Sequence, residues 1–346
     1  MILCRKKYED FGPTLAQEKL EELNHLYVNR ETLRQWMVDD GLWEVSKKGQ
    51  KHLQWRERKG SFGEMTQVDG SHHDWLEGRG PKLVLMGYID DATSTVFARF
   101  FDYEGTMPAM ESFYRYSKCY GLPHSIYLDR LSAYKGSGKL SVEEELAGQE
   151  HKRSQFERAL EELGVEVIHA QSPQAKGRIE RLFKTFQDRL IKEMRLAGVR
   201  TKEEANKFLE IYLPKYNQRF SVIAREEANL HRSAPRHEAF VQILSIQEKR
   251  VVRNDRTFRH EKKLYQILDT RKPLKEIIVQ ERMDGKLYVM HEGKALRYRE
   301  LKEPVKQIQE KTKQIVKPIP EMVNISLLWK RSNFRLKQAE EVKAAA

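Results

Sequence analysis

Between residues 64 and 198 the apolar pattern of this chain switches repeatedly between a period of two and one near 3.6, an order that few folds accommodate. Three β-branched and aromatic runs come first, EMTQVDGSH, KLVLMGYIDDATS and TVFARFFDYE, separated by turn residues, and predict three neighbouring strands. A helical run (MPAMESFYRYSKCYG) and a short strand ending at Asp129 (HSIYLD) follow. A helix with Phe156, Leu160 and Leu163 at helical spacing, a strand (VEVIHA) and a long helix (KGRIERLFKTFQDRLIKEMRLAG) complete the series. Strands that feed helices and return to strands predict an α/β layer architecture.

The flanks differ in kind. Residues 13–23 are good helix formers, and Asn29 is a plausible N-cap for a second helix with Leu33, Trp36 and Met37 as its apolar stripe and Gly41 as its stop. Arg30, Arg34 and Gln35 then point outward. A helix-turn-helix would set that face in a major groove, whereas an ordinary helical hairpin would leave it wet. Residues 47–59 form a basic linker, and a helix over 202–220 presents Phe208, Ile211 and Tyr212 on one face. From 249 to 301 short alternating runs return, punctuated at Asp284-Gly285 and Glu292-Gly293, which predicts a small β-barrel. The resulting divisions are a helix-turn-helix segment (1–46), a basic linker (47–62), the α/β core (63–222), a helical linker (223–247), the small β-barrel (248–303) and a basic, mostly disordered tail (304–346).

Charge separates along the chain. The formal net charge is +12, yet residues 61–170 carry 11 basic and 18 acidic side chains while 171–300 carry 30 and 18. A basic half is the footprint of a polyanion partner such as double-stranded DNA. An acidic block beside it is compatible with phosphates only if divalent cations lie between. No stretch approaches the roughly 18 apolar residues of a membrane helix, no secretory leader is evident, and two cysteines without a CxxC suit a reducing cytoplasm.

Three carboxylates stand at the ends of core elements: Asp69 in the first strand, Asp129 closing the fourth, and Glu180 near the start of the long helix. Adjacency of strands one and four would bring Asp69 and Asp129 together, with a flanking helix supplying Glu180. Such an all-oxygen set suits Mg²⁺, with Mn²⁺ as substitute, and two such ions can serve in-line displacement at phosphorus. Asp90, Asp91 and Glu77 are nearby competitors. Lys176, Arg178, Arg181 and Lys184 surround Glu180, where they would seat DNA over the site or, in an ordinary surface helix, form i, i+4 ion pairs. His72 and His73 lack further ligands at zinc-site spacing, and the glycines at 136 and 138 lack a P-loop ending.

The segments TQVDGSHHDW, VLMGYIDDATS, SIYLDR and above all SPQAKGRIERLFKTFQDRL resemble the catalytic core of DDE transposases and retroviral integrases, most closely the insertion-sequence transposases labelled ISNCY. The resemblance extends over nearly the whole chain and implies an RNase H-like core between a helix-turn-helix and a small β-barrel. It further implies that Asp69, Asp129 and Glu180 hold two Mg²⁺ ions, and that Lys184 contacts DNA next to the site. The implied activity is cleavage at transposon 3′ ends followed by strand transfer into target DNA, by a homo-oligomer assembled on paired ends. A cytoplasmic, nucleoid-associated bacterial protein follows. The acidic segment 135–149 lengthens the interval between Asp129 and Glu180 beyond the retroviral pattern, and reads as an insertion. Relatives usually carry another DNA-binding helical segment upstream, and a truncation at the N-terminus would weaken end recognition while leaving the metal triad intact. The alternatives are a catalytically idle, transposase-derived DNA-binding protein and a nuclease that hydrolyses without joining; retention of three like charges argues against the idle module.

Overall fold

A computed structural model describes residues 1–44, 57–128, 153–169, 177–269 and 274–301. The N-terminal module is three helices: α1 (Ile2–Lys7), α2 (Pro13–Asn24) and α3 (Arg30–Asp39). Pro13 occupies the first turn of α2, where a missing N–H costs nothing, and Asn29 caps α3 by accepting the Glu31 N–H at 2.9 Å. Tyr8, Phe11, Leu15, Leu20, Leu33 and Met37 make its small core. Trp36, expected in the same stripe, is 46% exposed. It lies at the far edge of the arc defined by Leu33 and Met37, and three short helices bury only a narrow arc.

The central element is a five-stranded mixed sheet in the order β4-β3-β2-β5-β6. β2 (Met65–His73), β3 (Leu83–Asp90) and β4 (Val96–Phe101) are antiparallel neighbours. β5 (Ser125–Leu128) runs parallel to β2, and β6 (Glu166–His169) parallel to β5. The first and fourth strands of the core are therefore adjacent, as the carboxylate pattern required. A two-residue β1 (Ser61–Phe62) pairs with β7 (Glu226–Asn229) in a separate ribbon.

Helices cover both faces of the sheet, which is why every residue of β3 is buried rather than alternate ones. On one face lie α4 (Thr106–Tyr120) and α5 (Gln155–Glu162), packing Phe113, Phe156 and Leu160 on Val68, Met86 and Tyr88. The Ser154–Glu157 capping box starts α5. The other face carries α6 (Gly177–Leu196) and α7 (Lys202–Phe220), with Ile179, Phe183, Phe186, Leu190, Leu209 and Tyr212 over Leu85 and Ile89. Gly87 permits this close approach: a Cβ there would stand 2.8 Å from the Phe183 ring. Ile211, expected on the apolar face of α7, is 66% exposed; Ala205, Leu209 and Leu213 share the buried face with Tyr212.

α7 also closes the outer edge of the sheet. Asn206 accepts the Phe100 N–H (2.8 Å) and donates to the Phe100 carbonyl (3.0 Å), and Asn217 does the same for Val96 (2.8 Å each). Two carboxamides three turns apart thus replace the strand that β4 lacks, and protect an edge that would otherwise be open to pairing.

The stretch expected as a helical linker holds β7 and α8 (His237–Ile243), whose Phe240 is buried against the α4/α5 layer. The strands beyond it do not close into a barrel among the described residues. β8 (Ile246–Val251), β11 (Glu276–Glu281), β12 (Leu287–His291) and β13 (Lys294–Leu296) form one sheet; β9 (Thr257–His260), β10 (Lys263–Ile267) and β14 (Tyr298–Leu301) form another. The chain passes from β13 to β14 across Arg297 alone, so the ribbon turns from one sheet into the other. Phe258, Tyr265, Ile267, Ile277, Val279 and Val289 fill a core contributed by both sheets. Among the described residues no helix is long and apolar enough to cross a membrane.

Candidate active site

Side chains alternate along β2, so Gln67, Asp69 and Ser71 project to the face that carries α6, while Thr66 and Val68 project to α4. Asp69 is partly buried, its Oδ1 accepting the Gly70 N–H at 3.1 Å, and its partner across the ladder is Gly87. The bare backbone at Gly87 is where Phe183 of α6 seats. Glu180 lies one turn before Phe183, exposed in the first turn of α6, where unpaired amides and the helix dipole favour a negative charge. The link between the two elements is direct: Gln67, two residues before Asp69, accepts the N–H of Ile179 at 3.3 Å.

Asp129 and Lys176 lie outside the described residues. β5, which leads into Asp129, is in parallel register with β2, Tyr127 standing opposite Gln67. Arg181 and Lys184 are exposed on α6, Lys184 one turn beyond Glu180. Arg178 turns inward instead, its Nη1 3.4 Å from Oδ1 of the fully buried Asp91. A groove of about 220 Å³ beside this turn is lined by Arg58, Arg181, Thr185 and Tyr216, among others. Far along the chain, α3 exposes Arg30 and Gln35 and half-buries Arg34; Gln35 donates to Asp39 and Arg34 to Glu31.

The competing carboxylates have other employment. Asp90 accepts from the Gly63 and Thr93 amides and the Thr93 hydroxyl at 2.7–2.9 Å, and burial pushes its carboxyl above the usual range. Asp91 accepts the Lys59 N–H (2.9 Å) and the Gln67 amide (3.0 Å). Glu77 pairs with Arg195 at 3.1 Å. His72 contacts Glu104 at 2.6 Å, and among the described residues no group of three or more His, Cys, Asp or Glu could hold a metal. Gln67 escaped sequence reading altogether, since a glutamine in a strand carries no pattern. The run KLVLMGYIDDATS reads as strand to its end, whereas β3 stops at Asp90 and the chain turns over 91–93, where Asp90 accepts the Thr93 amide and hydroxyl.

An α/β protein thus carries Asp69 on a central strand and Glu180 on the first turn of the helix packed on the same side of the sheet, with exposed Arg181 and Lys184 following. Comparison with known proteins finds two similar chains. Over 308 residues the chain is 39% identical to y4bF of Sinorhizobium fredii, a transposase by name, covering 86% of this chain and 65% of that one. Over 294 residues it is 28% identical to the transposase for insertion sequence IS1202 of Streptococcus pneumoniae, covering 81% and 60%. The chain is thus similar to two transposases, one of them that of an insertion sequence, and it spans less than two thirds of the length of either relative. No family model matches it. Among solved structures it is similar to a chain of the simian T-cell lymphotropic virus intasome (16% identity, 81% of this chain and 97% of that one, TM-score 0.38). It is also similar to the HTLV-2 integrase catalytic core domain in complex with magnesium (16%, 44% and 85%, TM-score 0.33). At these scores the description of the fold rests on the strand order given above.

Proposed function

We propose that the chain is the DNA-binding and catalytic part of an insertion-sequence transposase, with an RNase H-like core that cuts the 3′ ends of its element and joins them to target DNA. The observation that carries this reading is the placement of Asp69 and Glu180 on one side of the sheet, tied together through Gln67 and Ile179, next to the strand that leads into Asp129. Asp69 and Glu180 fit a hard divalent cation: both offer carboxylate oxygens on the α6 side of β2, one of them exposed to solvent. With Asp129 they would hold two Mg²⁺ ions. Bound there, these would activate an attacking oxygen and stabilise the leaving one.

The chain's own residues supply the remaining work. Arg181 and Lys184, beside Glu180, would neutralise strand phosphates and hold the scissile one in line. In the first step water attacks an element end, and the P–O3′ bond breaks to leave a free 3′-OH. In the second, that hydroxyl loses its proton and attacks a target phosphate, so that one phosphodiester forms as one breaks and no external energy source is needed. Arg30, Arg34 and Gln35 on α3 would read element ends as a helix-turn-helix, and the two C-terminal sheets would add backbone contacts. Assembly of several copies on paired ends belongs to the same proposal.

The test is a strand-joining assay on DNA flanking the protein's own gene, comparing wild type with Glu180→Gln in Mg²⁺, Mn²⁺ and EDTA, with new 3′ ends mapped by sequencing. Joined products that need both metal and Glu180 are expected. Cleavage without joining would mark a nuclease, and tight binding without metal-dependent cleavage an idle binding module.

A further inference from the structure

We infer that Gln67, Asp91 and Arg178 form a clamp that positions the first turn of α6, and with it Glu180, against the strand bearing Asp69; this rests on the catalytic reading above. Asp91 follows β3 directly and is fully buried, so it can touch neither DNA nor solvent. Its Oδ2 accepts the Lys59 N–H at 2.9 Å, its Oδ1 accepts Gln67 Nε2–H at 3.0 Å, and Arg178 Nη1 faces Oδ1 at 3.4 Å. Gln67, also buried, uses its other end to accept the Ile179 N–H at 3.3 Å. The carboxamide can sit only one way round. Reversed, its oxygen would face the Asp91 carboxylate and its NH₂ would face an N–H donor.

The two attachments fall on Arg178 and Ile179, the residues immediately before Glu180. Free N–H groups of a first helical turn need partners from outside the helix, and here a strand side chain provides one. A buried carboxylate is costly unless paired, so the α6 turn is held where Arg178 can reach Asp91. The same geometry gives Arg178 a role different from that of Arg181 and Lys184. Its side chain is 10% exposed, and to reach a phosphate it would have to give up its ion pair with Asp91. Gln67 and Asp91 are positioning residues: they act on the reaction through Glu180, whose misplacement relative to Asp69 by about 1 Å would slow chemistry on the order of 100-fold.

A double-mutant cycle on the full chain tests this: Asp91→Asn, Arg178→Met and the pair, with Gln67→Leu as a variant that keeps the Asp91–Arg178 ion pair and removes the tie to Ile179 together with the hydrogen bond to Asp91. Wild type and Glu180→Gln serve as references. The readouts are kcat and KM for cleavage of DNA carrying the element ends, and amide hydrogen exchange of the DNA-free protein. Each single variant should lower kcat at least tenfold with KM for DNA within twofold, and the double should be no slower than the singles. Exchange should accelerate at Ile179 and its neighbours while residues 186–194 keep wild-type protection. A raised KM in Arg178→Met alone, with losses that add in the double, would show a DNA contact and overturn the clamp. Unchanged kcat in Gln67→Leu and Asp91→Asn, or exchange that accelerates along all of α6, would overturn it as well. Should wild type and Glu180→Gln cleave alike, the catalytic reading falls and takes the positioning role with it; wild-type cleavage that needs Glu180 but ignores these variants sinks the clamp alone.

Discussion

Replacing Gly87 by alanine probes the contact on which the seat of α6 depends. A Cβ at this position would stand 2.8 Å from Cε1 and 3.0 Å from Cζ of Phe183, and 3.5 Å from Cδ1 of Ile179. Carbon atoms pack best at about 3.5–4.0 Å, so the ring is overlapped by roughly 0.5–1 Å. Phe183 is buried against the sheet and cannot swing into solvent. The strain must therefore go into an off-rotamer ring or a displaced helix, at about 1–3 kcal/mol. The backbone at Gly87 is that of an ordinary strand, so alanine regains about 0.4–1 kcal/mol by restricting the unfolded chain. The net expectation is a loss of about 1–2 kcal/mol, a fall in Tm of roughly 2–8 °C. Phe183→Leu in the same chain should recover part of it, because it removes the overlapping ring atoms. Urea unfolding of the single and double variants measures this, and the cleavage assay should show a larger fractional loss in kcat than in binding, since Glu180 is one turn from Phe183. A Gly87→Ala protein as stable and as active as wild type would refute the argument that bare backbone beneath Phe183 sets the position of α6.

Two further predictions concern the edge and the linker of the core. Asn206→Leu and Asn217→Leu each remove a donor and an acceptor from the β4 backbone, and each should cost about 1–3 kcal/mol in urea unfolding. The double variant should also aggregate at concentrations where wild type stays dispersed, as light scattering would show. His231 Nε2 lies 2.7 Å from the Tyr116 hydroxyl and Nδ1 2.8 Å from Asn229 Oδ1, and burial pushes its pKa down to about 4. Asn229 Oδ1 can only accept, so Nδ1 carries the proton and Nε2 accepts from Tyr116. The unfolded chain, with a histidine near its ordinary value of about 6.5, binds the proton first, so stability from this site is complete above that value and declines as pH falls toward 4. His231→Gln should flatten that part of the stability profile, and an unchanged slope between pH 6.5 and 4 would contradict the buried neutral imidazole.

How much was legible in the sequence depends on the distance over which each cause acts. Local causes came through: the Asn29 cap, the period-two runs of β2 to β4, the stripe of Ile179, Phe183, Phe186 and Leu190, and the glycine turns of the C-terminal hairpins. Each is fixed by residues within one or two turns of chain. Ile211 and Trp36 were misplaced because helical spacing gives an arc of apolar residues, while the width of the buried arc is set by the element packed on it. Arg178 read as one of four cations around Glu180, and nothing local distinguishes the one whose partner is Asp91, 87 positions earlier.

Within the described residues, then, composition and periodicity determined the order of elements, the α/β layering and the residue types available for phosphate chemistry. The tertiary structure decided which groups meet. Parallel pairing of β2 with β5, the bare backbone of Gly87 beneath Phe183, and the reach of Gln67 to Ile179 bring together residues 60, 96 and 112 positions apart. It likewise turned the expected barrel into two sheets over a shared core, because closure depends on how short strands twist and pair across the whole unit rather than on their alternation. Alternation states which side of a strand is apolar, and packing alone decides what that side faces.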